Sequence, residues 1–239
     1  MKRFISIAII ALAIPFFCYG QAAKKPTAVA TKTQAAPAKK IVKTNNDPKA
    51  LDILNRASVA YSKSGGVKAG FSLKILDSGG IDNNTLEGTI KLKGSMFKLE
   101  VKEMISWFDG KNQWVYLTSN KEVNLSNPTE EDLLMINPVN VFQLYKHGYE
   151  CKYLGEKNES GKAVLKVRLT PTNKYTSLSN IDATFDKVSL RPLYIIITNK
   201  DKSGSVINIT TYQSGQTYAD AFFSFPQKEY PNLDVIDLR

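Results

Sequence analysis

A chain of 239 residues with 43% apolar side chains can bury one large core or two small ones. Its net charge of +10 invites a nucleic-acid reading, but residues 1–47 hold eight Lys/Arg against one Asp, whereas residues 48–239 hold 24 against 21 acids. The basic excess sits mainly in the first fifth of the chain and not on a folded face, which argues against a nucleic-acid partner.

At the N-terminus, Lys2 and Arg3 precede an apolar run from Phe4 to Phe17, and Cys18-Tyr19-Gly20 supplies small residues two apart. This pattern predicts a secretory signal peptide over residues 1–20, cleaved after Gly20, and hence a periplasmic protein. The run is short for a membrane span. A lipoprotein signal lipidated at Cys18 is the alternative, and the bulky Phe17 before it argues against it. Cleavage leaves Cys151 alone, so no internal disulfide is expected, and Cys151 reads as a buried apolar residue of a strand.

Residues 21–47 are rich in Ala, Lys, Thr, Pro and Gln without apolar periodicity, which predicts a flexible linker. The folded domain is expected over 48–239. Asp47 suits a helix N-cap and Pro48 a first helical position. Leu51, Leu54, Ala57 and Tyr61 then recur at helical spacing, and Gly65-Gly66 stops the run.

From Val67 the period becomes two. Strands are predicted around Val67–Ile75, Leu86–Leu92, Phe97–Val101, Met104–Phe108, Gln113–Leu117 and Val123–Leu125, with a hairpin turn at Asp109-Gly110. An apolar insert follows. Asn127-Pro128 and Asn137-Pro138 read as two helix starts, carrying Leu133, Leu134, Met135, Ile136, Val139, Val141, Phe142 and Leu144. Strands resume around Tyr149–Tyr153, Leu165–Leu169, Ile181–Phe185, Leu193–Ile197 and Ile207–Ile209, joined by polar loops at Glu156–Gly161 and Lys200–Ser205. Ala221–Pro226 reads as a last short strand. The sum is a mainly β (α+β) domain: one strongly curved antiparallel sheet of about ten strands, with helices as cover.

Catalytic patterns are absent from the sequence. The sole histidine, His147, stands near a helix end beside Gly148, a position the helix dipole favours. No nucleophile elbow, phosphate-binding glycine loop or zinc-ligand spacing occurs. Glu130-Glu131-Asp132 fits the first turn of a helix. An enzyme, a metal and a cofactor are therefore not expected. The apolar insert over a curved sheet instead predicts a lid above a hollow suited to an acyl chain.

The stretches Leu86-Glu87-Gly88-Thr89-Ile90-Lys91-Leu92-Lys93, Met96-Phe97-Lys98-Leu99, Ile105 to Tyr116 around Asp109-Gly110-Lys111, Leu169-Thr170-Pro171 and Phe223-Ser224-Phe225-Pro226 occur in an order that resembles the outer-membrane lipoprotein carrier proteins, the LolA/LolB-like fold. The resemblance implies an unclosed antiparallel β-barrel with a helical lid. It implies a monomeric periplasmic carrier that binds the acyl chains of lipoproteins and shuttles them from inner to outer membrane. It further implies acylated lipoproteins, an inner-membrane release complex and an outer-membrane acceptor as partners. A periplasmic lipid- or lipoprotein-sensing regulator of the same fold, or a carrier of another lipid, is the alternative. Cavity positions on this reading are Phe71, Leu73, Leu92, Phe97, Leu99, Trp107, Trp114, Tyr116, Leu133, Leu134, Met135, Phe142 and Leu144. The family's lid-latch Arg falls at Lys93, which keeps the charge without the forked donor geometry.

Overall fold

The computed structural model describes residues 45–119, 122–129, 132–133 and 138–239. Helix α1 spans Pro48–Ser62. The Asp47 carboxylate accepts the Lys49 N–H at 2.8 Å and so satisfies an orphan donor of the first turn. Ala50, Ile53, Leu54 and Ala57 are buried along one face, and Gly65, at φ +73°, lets the chain turn off the helix.

Twelve strands follow: β1 Gly66–Leu76, β2 Asp82–Lys93, β3 Met96–Val101, β4 Met104–Phe108, β5 Gln113–Leu117, β6 Glu122–Ser126, β7 Tyr149–Glu159, β8 Lys162–Pro171, β9 Leu178–Asp186, β10 Pro192–Asn199, β11 Gly204–Gln216 and β12 Asp234–Asp237. They form one sheet in the order β12-β6-β5-β4-β3-β2-β1-β11-β10-β9-β8-β7. Consecutive strands pair antiparallel within each half, and the halves meet where β1 pairs β11. β12 and β7 remain as unpaired edges, so the sheet curves without closing. The unclosed sheet agrees with the expected fold class.

Between β6 and β7 the described residues of the insert are Asp132 and Leu133, in a helical turn, and a 3-10 helix, Pro138–Lys146. The turn begins at Thr129, where Thr129 Oγ1 accepts the Asp132 N–H and Asp132 Oδ2 accepts the Thr129 N–H. That reciprocal cap is stronger than the one expected at Asn127.

Two expectations fail. Ala221–Pro226 is not a strand: Asp220–Phe223 is a 3-10 helix, because Phe222 stacks on Tyr218 at 5.1 Å and Phe223 is buried. The last strand is β12, which pairs parallel with β6. The loop expected at Glu156–Gly161 is also shorter, since β7 and β8 pair as far as Glu159 and Lys162. At Asp109-Gly110 the turn does form. Asp109 Oδ1 accepts the Lys111 and Asn112 N–H groups, and Gly110 takes φ +100°.

The main core lies between one face of the sheet and the pair made by α1 and the 3-10 helix. The first described residues also cover the β7 edge. Asp47 N–H donates to the Cys151 carbonyl at 2.9 Å, and Asn46 and Asp47 side chains accept the N–H groups of Cys151 and Tyr153. Cys151 is buried, and burial raises its thiol above the ordinary value.

Candidate functional site

The strand registers sort the side chains of the sheet into two faces. Val67, Leu92, Phe97 and Phe108 stand opposite one another across β1 to β4 and face the core. The next row on that face is Tyr212, Ala69, Ile90 and Leu99. Then come Ile209, Phe71, Gly88, Val101 and Met104, and then Ile207, Leu73 and Leu86. This is the concave face.

Its cover is uneven. The row nearest the end of α1 is closed: Val67 and Phe97 are 0% exposed and Leu92 1%. Two rows further on, Phe71, Val101, Met104, Leu73, Leu86, Ile207 and Ile209 are all half-buried. Phe71, Met104, Ile207 and Ile209 abut the core without being enclosed by it. Gly88 is required here. A Cβ at that position would come within 2.6 Å of the Phe71 ring and 2.7 Å of Val101, so the glycine lets the ring lie flat across β2. The result is an open apolar trough continuous with a packed core, a concave and mostly apolar surface of the kind that takes small ligands.

The expected cavity positions divide accordingly. Phe71 and Leu73 line the open trough, and Leu92, Phe97 and Leu99 line its closed end. Phe142 and Leu144 are 2% and 1% exposed on the 3-10 helix and fill the core beneath the cover. Leu133 is half-buried against that core. Leu134, Met135 and Ile136, also of the expected lid, lie outside the described residues.

Trp107, Trp114 and Tyr116 do not belong to the trough. Strand alternation turns them to the convex face, since Phe108 and Gln113 take the concave one. There the C-terminal segment covers them: Trp107 meets Phe225 at 5.4 Å and Tyr230 at 6.1 Å, and Tyr116 meets Tyr230 at 5.3 Å, edge-on. Lys98 stands 5.4 Å from the Trp107 ring. Lys93 also points to this segment. Its ammonium donates to the Tyr218 carbonyl at 2.8 Å and pairs with Asp220 at 2.7 Å. Among the described residues it joins neither α1 nor the 3-10 helix Pro138–Lys146. The pair is exposed and contributes little.

Periodicity alone marked Leu86, Val101, Ile207 and Ile209, which the expected set omits, whereas Met104 is placed on this face by its pairing with Val101. A buried polar pair was not foreseeable: Gln113 Nε2 donates to Ser106 Oγ at 3.0 Å within the concave side. Among the described residues, no three His, Cys, Asp or Glu side chains group so as to hold a metal ion. No helix there is long and apolar enough to cross a membrane.

The family model described as outer membrane lipoprotein carrier protein LolA matches residues 42–201. The chain belongs to this family. The match carries α1 through β10, and so most of the trough. Among solved structures, an uncharacterized conserved protein from Thermus thermophilus superposes with a TM-score of 0.55 at 12% identity, covering 79% of this chain and 99% of that one. That likeness supports the fold. A putative outer membrane lipoprotein-sorting protein domain from Vibrio parahaemolyticus gives a TM-score of 0.46 at 13% identity, covering 76% and 98%. LprF from Mycobacterium bovis gives 0.45 at 12% identity, also covering 76% and 98%. No curated protein matches the chain.

Proposed function

We propose that this LolA-family protein binds the acyl chains of lipoproteins in the concave trough and carries them from the inner to the outer membrane, without catalysis. The observation that carries the reading is the half-buried apolar surface of Phe71, Leu73, Leu86, Ile207 and Ile209 on the concave face. Each CH₂ buried there contributes about 0.8 kcal/mol, so ten contribute about 8 kcal/mol. Association and ordering cost about 4–15 kcal/mol. At the low end of that cost the surplus is about 4 kcal/mol, a weak affinity that lets a carrier release its load.

On this reading residues 1–20 direct export to the periplasm, residues 21–47 act as a tether, and the domain from 48 to 239 carries the cargo. The partners are an acylated lipoprotein, an inner-membrane complex that releases it and an outer-membrane acceptor. The test is purification of the exported protein, extraction, and mass spectrometry for acylated polypeptides, with transfer of a triacylated lipoprotein between two vesicle populations in parallel. Recovery of acylated cargo and protein-dependent transfer support the reading. A cargo-free protein that moves nothing between vesicles overturns it.

A further inference from the structure

A cavity of about 230 Å³ opens where the second half of α1 faces β10 and β11. At roughly 30 Å³ per water it has room for a small polar group and a few carbons, and not for an acyl chain. Its walls are of two kinds. Ala57, Ala60, Phe142, Leu190 and Pro192 are apolar, whereas Tyr61, Ser64, Ser189, Arg191, Tyr212 and Ser214 bring polar atoms.

Three of those six side chains are already engaged. The Tyr61 hydroxyl donates to the Gly94 carbonyl at 2.8 Å, Ser64 Oγ to the Tyr61 carbonyl at 2.6 Å, and Ser189 Oγ to Asp186 Oδ1 at 2.7 Å. Arg191 and Tyr212 differ. Among the described residues neither the Arg191 guanidinium nor the Tyr212 hydroxyl makes a hydrogen bond, although both residues are half-buried. The Asp186 carboxylate feels the Arg191 charge, yet its Oδ1 is taken by the Val188 N–H and by the N–H and hydroxyl of Ser189. Burial raises the Tyr212 phenol above its ordinary value, and Arg191 pulls against that rise. A forked cation whose neighbouring carboxylate, Asp186, is held through Oδ1 by its own turn, and a phenol that makes no hydrogen bond, leave donors on one small cavity that an anion can use.

The cavity also leads into the trough. Tyr212 is opposite Ala69 in the register, Ile209 opposite Phe71, and Ile207 opposite Leu73, so the concave side of β11 passes from the cavity wall, across a bulge between Thr211 and Ile209, to the open rows. Along β1 the same span, Ala69 to Leu73, is about 14 Å at 3.4 Å per residue.

We infer that the Arg191–Tyr212 cavity seats the anionic head, carboxylate or phosphate, of an acyl ligand whose tail lies along Ile209, Ile207, Phe71 and Leu73. This rests on the acyl-binding reading above and adds a head-group preference to it. The ligand class it adds is an anionic single-headed lipid, taken by the same trough that takes lipoprotein acyl chains.

The test uses the full purified chain and competition against a fluorescent acyl probe by dodecanoate, dodecyl phosphate, dodecanol and inorganic phosphate. Charge-assisted hydrogen bonds make the two anionic dodecyl ligands bind about ten- to a hundredfold more tightly than dodecanol. Arg191→Gln removes that preference while leaving dodecanol binding in place, and Tyr212→Phe, which keeps the ring, reduces it. Equal affinity for dodecanoate and dodecanol in the unaltered chain overturns the head site alone. Failure of every dodecyl ligand, dodecanol included, overturns the acyl trough with it. Inorganic phosphate competing as well as dodecyl phosphate overturns the coupling of head and tail.

Discussion

Removing the same ring from two places on the concave face separates core from trough. Phe97 is 0% exposed and stacks on Phe108 at 5.5 Å. Truncating such a ring to Ala costs about 3–5 kcal/mol, since it loses both transfer energy and packing. In a domain of this size each kcal/mol moves Tm by about 2–4 °C, so Phe97→Ala lowers Tm by about 6–20 °C. Phe71 is half-buried over Gly88 and Val101. Its truncation forfeits roughly half as much stability, a Tm decrease of about 3–10 °C. The ligand relation is reversed. On the proposed reading the exposed half of the Phe71 ring is the part that meets an acyl chain, and covering half a phenylalanine contributes about 1–1.5 kcal/mol. Phe71→Ala therefore weakens an acyl probe about tenfold, while Phe97→Ala, measured well below its own Tm, weakens it less. Thermal unfolding by circular dichroism and probe titration at 15 °C give the two readouts. Unchanged probe affinity in a folded Phe71→Ala protein refutes the trough. A larger affinity loss at Phe97 than at Phe71 refutes the division between closed and open rows.

Two other perturbations test the surroundings of the trough. Phe225→Ala and Tyr230→Ala uncover Trp107 on the convex face, so tryptophan emission shifts to longer wavelength while acyl-probe affinity stays the same; a loss of affinity in either variant would mean that this face shares in binding. For Asp47, hydrogen bonds from the N–H groups of Lys49 and Tyr153 hold the carboxyl below its ordinary value. Its stabilising effect is therefore complete above the unfolded carboxylate value of about 3.9 and is lost as pH falls through the lower folded value. Asp47→Ala accordingly lowers Tm at pH 7, and the gap to the parent narrows in acid. A gap of constant size from neutral to acid pH contradicts the assignment.

Much of this architecture could be read from local pattern, because a half-buried strand must alternate and a helix must repeat at 3.6 residues. β1, β2 and β3 show their faces plainly, with Lys68, Lys91 and Lys98 between apolar neighbours. β4 does not. Met104, Ile105, Trp107 and Phe108 are apolar on both parities, and only the register against Phe97 tells that Phe108 faces inward and Trp107 outward. The same limit hid the C-terminus. Phe223 and Phe225 alternate like a strand, yet tertiary contacts with Tyr218, Trp107 and Tyr230 decide their conformation. β12 was illegible for a third reason. All four of its residues are exposed and two are Asp, so it forms only because the chain returns to lie beside β6, over a hundred positions earlier.

The two faces of the sheet show what the chain does with apolar surface it could equally have sealed. On the convex side Trp107, Val123 and Leu125 are 1%, 0% and 8% exposed, and the C-terminal aromatics lie against that side. On the concave side α1 and the 3-10 helix close the rows around Val67, Phe97 and Phe185, while β1, β2 and β11 keep Phe71, Leu73, Leu86, Ile207 and Ile209 half open. Leaving such rows uncovered gives up part of the burial that holds a domain together, and on the proposed reading an acyl ligand restores it. A ligand that binds the folded chain there adds stability in proportion to its occupancy. Loading with an acyl ligand should thus raise Tm, and by the reasoning above it should do so less in Phe71→Ala than in the parent.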